Sequence, residues 1–221
     1  MRSSSRCFII ATTLGWWTMT PLSAQSLRDL VHMYGSATMT VDSCGPLTGL
    51  KEIIELAPFT VEGTITLAES KLTAEEDDVY TEYEMDVIRV FRGPTAAARS
   101  TPGPTDESSP FVTSDPLTRP GATRPRVRLR RRYHGRVVID GGVVTVTAHR
   151  GGPTLSVGQH IIVSAYFDQS TGSWSPFGFF EVQDGRVVNI DNRVQTKAYN
   201  SVEEFAAALA NPPPTTLPST R

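Results

Sequence analysis

Apolar and polar residues alternate most strictly over residues 59–91, FTVEGTITLAESKLTAEEDDVYTEYEMDVIRVF. Phe59, Val61, Gly63, Ile65 and Leu67 share one parity, and Thr60, Glu62, Thr64 and Thr66 the other. That is the period of a strand with one wet face. An acidic turn, Glu75 to Asp78, leads to a second run, where Val79, Thr81, Tyr83, Met85 and Val87 alternate with Tyr80, Glu82, Glu84 and Asp86. The two runs predict a long β-hairpin. Gly63 has no side chain to pack and predicts a bend or a close crossing, as at the corner of a small barrel. After Val87 the apolar positions move to Ile88 and Val90. A one-residue slip turns every side chain to the other face, so this shift predicts a bulge or strong coil in the second strand.

The flanks carry the helical period. Leu27, Leu30, Val31 and Tyr34 predict a helix over 26–34, with Ser26 as N-cap and Gly35 as stop. Residues 36–46 are polar, end in Cys-Gly-Pro and read as a loop. Leu50, Ile53, Ile54 and Leu56 predict a second short helix, which Pro58 ends. Beyond the hairpin, Arg126, Arg128, Arg130 and Arg132 alternate with Val127, Leu129 and Arg131. As a strand, this presents an arginine stripe. Val137–Asp140 and Val143–Ala148 pair across an Asp-Gly-Gly turn, residues 161–167 (IIVSAYF) read as a buried strand, and 177–183 pairs with 186–190 across Asp184-Gly185. Ser201 and Glu204 form a capping box before a last short helix. The expected fold is mainly β, with five to seven strands and short helices at each end. A helical segment occupies 25–58, a barrel 59–192 and a C-terminal helix 193–210.

Composition bounds what surrounds that domain. Residues 1–24 have a basic start, a short apolar run and Ala24 at a cleavage point, the layout of a secretory signal peptide. The run is too short to cross a bilayer, which takes roughly 20 residues. The mature chain is therefore expected to be exported, to periplasm or medium, without a membrane span. Losing Arg2 and Arg6 moves the net charge from −2 to −4. Such a balance gives no global field for nucleic acid or anionic lipid. Residues 93–125 hold seven prolines among 33 residues and little apolar surface, so they read as a disordered Pro/Ser/Thr-rich insert. The tail, 211–221, reads likewise. Cys7 leaves with the signal, and Cys44 remains as the lone thiol.

A resemblance rests on Gly63-Thr64-Ile65, Tyr80-Thr81, Val87, Val90, Arg92-Gly93, Val144-Thr145-Val146, Gly151-Gly152 and Val157-Gly158-Gln159. Over about residues 48–167 the chain resembles uncharacterised exported bacterial β-barrel proteins. The resemblance implies a small Greek-key, OB-like barrel, and is shared more distantly with netrin-like and metalloproteinase-inhibitor domains. Those inhibitors use an N-terminal Cys-x-Cys and several disulfides. This chain has neither, so no inhibitor residue is carried over.

Catalytic chemistry has little support. His32, His134, His149 and His160 are not at metal spacing, and no phosphate-loop, nucleophile-elbow or Cys-x-x-Cys motif is present. No cofactor and no metal is expected. Three functional readings follow. The first is a non-enzymatic binding or envelope-associated module for a protein or polyanion, using Arg126, Arg128, Arg130 and Arg132. The second is a thiol-dependent hydrolase pairing Cys44 with His149 or His160. The third is a structural protein linked through Cys44. The arginine stripe also has two plainer readings, a solvated edge strand or charge pairing within the chain. Tyr80, Tyr83, Trp174, Phe177, Phe179 and Phe180 are candidates for an aromatic patch or for core.

Overall fold

The computed structural model describes residues 26–42, 49–93, 125–149, 152–191, 193–194 and 196–212, without the side chains of Asp42 and His149. The expected signal peptide, Cys44, the bulk of the insert and the end of the tail lie outside the described residues. In chain order the elements are α1 (Leu27–Tyr34), β1 (Ser36–Asp42), α2 (Leu50–Leu56), β2 (Phe59–Leu72), β3 (Val79–Arg92), β4 (Arg126–Arg132), β5 (Gly135–Ile139), β6 (Gly142–His149), β7 (His160–Asp168), β8 (Ser173–Gln183), β9 (Arg186–Asn189) and α3 (Val202–Ala210). The fold is mainly β, as expected. The chain forms two compact units, and β2, β3 and β4 each contribute one part to each unit.

The first unit comprises Pro46–Ala68, Tyr83–Arg130 and Gly152–Arg221. It contains a closed five-stranded barrel, in the order β4-β3-β2-β7-β8, sealed by a parallel pairing of β4 with β8 at Leu129 and Trp174. β2 and β7 pair antiparallel from Phe59 opposite Ala165 to Thr64 opposite His160. Phe59, Val61, Ile65, Tyr83, Met85, Leu129, Ile161, Val163, Trp174 and Phe179 fill the interior. Gly63 is the close crossing: a Cβ there would lie 2.3 Å from the Asp86 carbonyl oxygen and 2.7 Å from Met85 Cγ. On the outer side, Ile162, Phe180 and Val187 join Leu50 and Ile53 of α2 and Val202, Phe205 and Leu209 of α3 in a second cluster. The Ser201 hydroxyl accepts from the Glu204 amide, so the expected serine cap is present, while the Glu204 carboxylate accepts from the Asn200 amide and not from Ser201 as a capping box would have it.

The second unit comprises Met1–Gly45, Glu69–Glu82 and Arg131–Gly151. Its sheet has the order β1-β6-β5, with β1 parallel to β6 and β5 antiparallel to it. Leu27 and Val31 of α1 pack on Val79, Ile139, Val144 and Val146. A reciprocal capping box closes α1: the Ser26 hydroxyl accepts from the Asp29 amide, and Asp29 accepts from the Ser26 amide. Asp140 and Gly141 both have positive φ, 49° and 84°, as a type I′ hairpin turn requires.

Three details depart from the sequence reading. Residues 36–42 are strand β1 rather than loop, with Ala37, Met39 and Val41 half-buried and Thr38 and Thr40 exposed. The phase change lies in β2, not β3. Odd residues of β3 from Val79 to Val87 are buried, Ile88 and Val90 are exposed, and Phe91 keeps the odd phase by packing on the second cluster. In β2 the inward set moves from odd Phe59, Val61 and Ile65 to even Ser70 and Leu72, leaving Leu67 38% exposed. Last, β8 begins at Ser173 and runs through Pro176, which sits at a register shift opposite Ser164 and Ala165. A proline inside a sheet is accommodated at such a bulge.

Candidate functional site

β4 places its arginines by simple alternation. Val127 and Leu129 are buried in the barrel, so Arg126, Arg128 and Arg130 face outward. The even residues of β3 meet them there. Arg126 Nε donates to Asp86 Oδ1 at 3.0 Å, and Arg128 Nε donates to Glu84 Oε1 at 2.9 Å. The Arg126 and Arg128 side chains stay 58% and 74% exposed. Exposed pairs of this kind contribute about 0–1 kcal/mol each. Their larger effect is to cancel the stripe's field and fix the guanidinium planes. Arg130 is half-buried. Arg132 belongs to the other unit, with its Nε 3.5 Å from buried Asp78 and its guanidinium 5.1 Å from the Tyr133 ring centre.

Strand register extends this face. Leu129 is opposite Trp174, and Trp174 points into the barrel. Ser173 and Ser175 therefore point outward, like Arg128 and Arg130. On β7, Tyr166 is opposite Ser175 and Asp168 is opposite Ser173. The outer surface thus runs from arginine through serine to tyrosine across β4, β8 and β7. Tyr166 stands edge-on to Phe177, with ring centres 6.0 Å apart. That packing holds its ring while leaving the residue 38% exposed. The turn beyond is tied by Asp168, whose Oδ1 accepts from the Ser170 amide and hydroxyl.

Of the aromatics read as patch or core, Tyr83, Trp174, Phe179 and Phe180 are buried, Tyr80 is half-buried and Phe177 packs on the second cluster. On β7, Tyr166 and Phe167 are exposed, which the apolar run 161–167 hid. Pro176 was the available signal: a bulge at its partner strand ends regular burial after Ala165.

The histidines are dispersed. His160 Nε2 lies 3.0 Å from Glu62 Oε1, and the second Glu62 oxygen is 3.6 Å from Arg89 Nε. His32 lies 3.3 Å from Asp140. His134 is buried, and its Nδ1 is 3.3 Å from the Thr81 hydroxyl, which donates to the His134 carbonyl at 2.7 Å. Burial, with the charge of Arg131 adding to it, brings this imidazole down to about 4. Burial pushes the Asp78 carboxyl up, against the hydrogen bond from the Val79 amide. The proposed nucleophile Cys44 and the His149 side chain lie outside the described residues. Among the described residues, no three His, Cys, Asp or Glu side chains converge as a metal site. No family model, no curated protein and no solved structure matches the chain.

Proposed function

We propose that this chain is a non-enzymatic binding module, working outside the cytoplasm, that holds an anionic saccharide on the outer face of β4, β8 and β7. One observation carries the reading: Arg128, Ser175 and Tyr166 face the same side of three consecutive barrel strands. A sugar ring offers C–H groups to an aromatic plane, hydroxyls to serine and a carboxylate to arginine. The Nε of Arg128 is held by Glu84, which leaves the terminal amino groups of that guanidinium for a carboxylate fork. The strand order, three sequential strands closed by a parallel pairing and a hairpin, supports an OB-type reading of the barrel, a class that binds oligosaccharides as well as oligonucleotides. Fold alone does not choose between them. Glu84 and Asp86 beside the arginines disfavour a long polyphosphate backbone. The apolar run and small cleavage residue at the N-terminus support export.

Titration calorimetry with a galacturonic acid trimer and its methyl-esterified form tests this. The acid should bind, and the ester should bind at least tenfold more weakly. Arg128→Ala and Tyr166→Ala should each cost about tenfold, or roughly 1.4 kcal/mol. Equal binding of both trimers, or none at millimolar concentration, contradicts it.

A further inference from the structure

β5 is an edge strand. Among the described residues it pairs with β6 alone, and the sheet ends there. The two-residue Asp140-Gly141 turn makes its flanking pair, Ile139 and Gly142, a hydrogen-bonded one. Counting back by twos, Val137 and Gly135 also bond to β6. The backbone N–H and C=O of Arg136 and Val138 therefore point away from the sheet. Beside them runs a groove of about 520 Å³, bordered by Ser70 to Leu72 on one side, Arg136 to Asp140 on the other, and Arg28.

Sheets close an edge with proline, a bulge, charge or a covering element. β5 has no proline and no register shift against β6. Val138 is 70% exposed, and Leu72 is half-buried along the groove. Three cations, Arg28, Lys71 and Arg136, border the groove against one carboxylate, Asp140. Arg28 is held by Glu76 and Asp140, and Lys71 by Glu69 and Glu82. Arg136 has no ion-pair partner among the described residues.

We infer that the β5 edge takes an extended segment of a partner protein by strand addition, and that the segment carries a carboxylate two positions from a β-branched apolar residue, so that both side chains share one face. The carboxylate meets Arg136. The apolar side chain lies beside Val138, and the segment's backbone bonds to the outward groups of Arg136 and Val138. Main-chain bonds supply the affinity and the alternate side chains the selectivity. A five-residue edge spans about 17 Å, enough for four or five residues of partner.

The test uses the full chain with ¹⁵N-labelled amides and three capped synthetic pentapeptides: Glu-Thr-Val-Thr-Glu, Lys-Thr-Val-Thr-Lys and Glu-Thr-Pro-Thr-Glu. The first should shift the Arg136 and Val138 amides and slow their exchange with solvent. The Lys-flanked peptide and the proline peptide should each bind at least tenfold more weakly. Arg136→Glu, an exposed change that leaves the fold intact, should reverse the preference between Glu- and Lys-flanked peptides. Val138→Pro should abolish binding of both, with its urea midpoint read alongside. The inference is overturned if no peptide shifts these amides at millimolar concentration, if the Arg136→Glu chain keeps the original preference, or if the amides are protected by the chain alone in a concentration-dependent way. That last result would mean a second copy covers the edge.

Discussion

The two units bury polar groups alike, Thr60, Glu62, Ser164 and Asp191 in the barrel's and Asp78, Thr81, Arg131 and His134 in the one around α1. They differ along β4, where Arg126 and Arg128 on the barrel are wet and Arg131 is buried. On the barrel, Arg126, Arg128, Glu84 and Asp86 are paired but wet, over an interior of Val127, Leu129, Tyr83 and Met85. The inward positions of β4 run Val127, Leu129, then Arg131. A buried polar group must be hydrogen-bonded and holds its neighbours in place. An exposed, loosely paired group can exchange its partner for a ligand. The first arrangement stabilises and the second is available for binding.

The largest effect should come from opening the barrel interior. Phe179→Ala removes a fully buried ring and should cost about 3–5 kcal/mol in urea unfolding. A loss under about 1 kcal/mol would mean that the interior is not the principal core.

The second effect separates the two units by pH. The folded His134 imidazole titrates near 4 and the unfolded one near 6.5, so the unfolded chain binds more protons between those values. The stability it contributes is full above about pH 6.5 and is lost as pH falls toward 4, on the order of 2 kcal/mol after allowance for solvent screening. Buried Asp78 works in the opposite direction, because burial favours its protonated form. His134→Asn should lower overall stability and flatten the loss between pH 6.5 and 4. An unchanged slope would show that His134 is not the group responsible.

Smaller effects sharpen the same contrast. Ser201→Ala removes the cap of α3 and should cost about 1 kcal/mol, read from the urea midpoint. Arg126→Ala removes an exposed pair with Asp86 and should change stability by less than about 0.5 kcal/mol. A loss near 2 kcal/mol would place the charge ladder among the stabilising elements and break the distinction.

Local signals were legible in the sequence. The two strands of 59–91, the Asp-Gly turns and the serine N-caps each depend on neighbours in the chain, and each formed where expected. Strand β1 was missed because Thr38 and Thr40 obscured the weak alternation of Ala37, Met39 and Val41. Its stability comes from parallel pairing with β6, far along the chain. The phase change was placed in β3 because Ile88 and Val90 are apolar, yet the slip is in β2, between Ile65 and Ser70. Of the candidate site, the arginines were readable by parity. Ser175 and Tyr166 were not, because the register of β4 on β8 and of β8 on β7 puts them on the face that carries Arg128 and Arg130. The carboxylates that meet Arg126 and Arg128 come from β3, and the acidic turn supplies Asp78 to Arg132.

The most direct test measures binding and stability on the same two variants, Arg128→Ala and His134→Asn, using the galacturonic acid trimer and urea unfolding. Arg128→Ala should lose about tenfold in affinity with its urea midpoint unchanged. His134→Asn should keep its affinity at pH 7 and lose the acid slope of its stability. If Arg128→Ala unfolds more easily while binding as before, or if His134→Asn is the variant that stops binding, the division between a binding face and a stabilising interior is wrong.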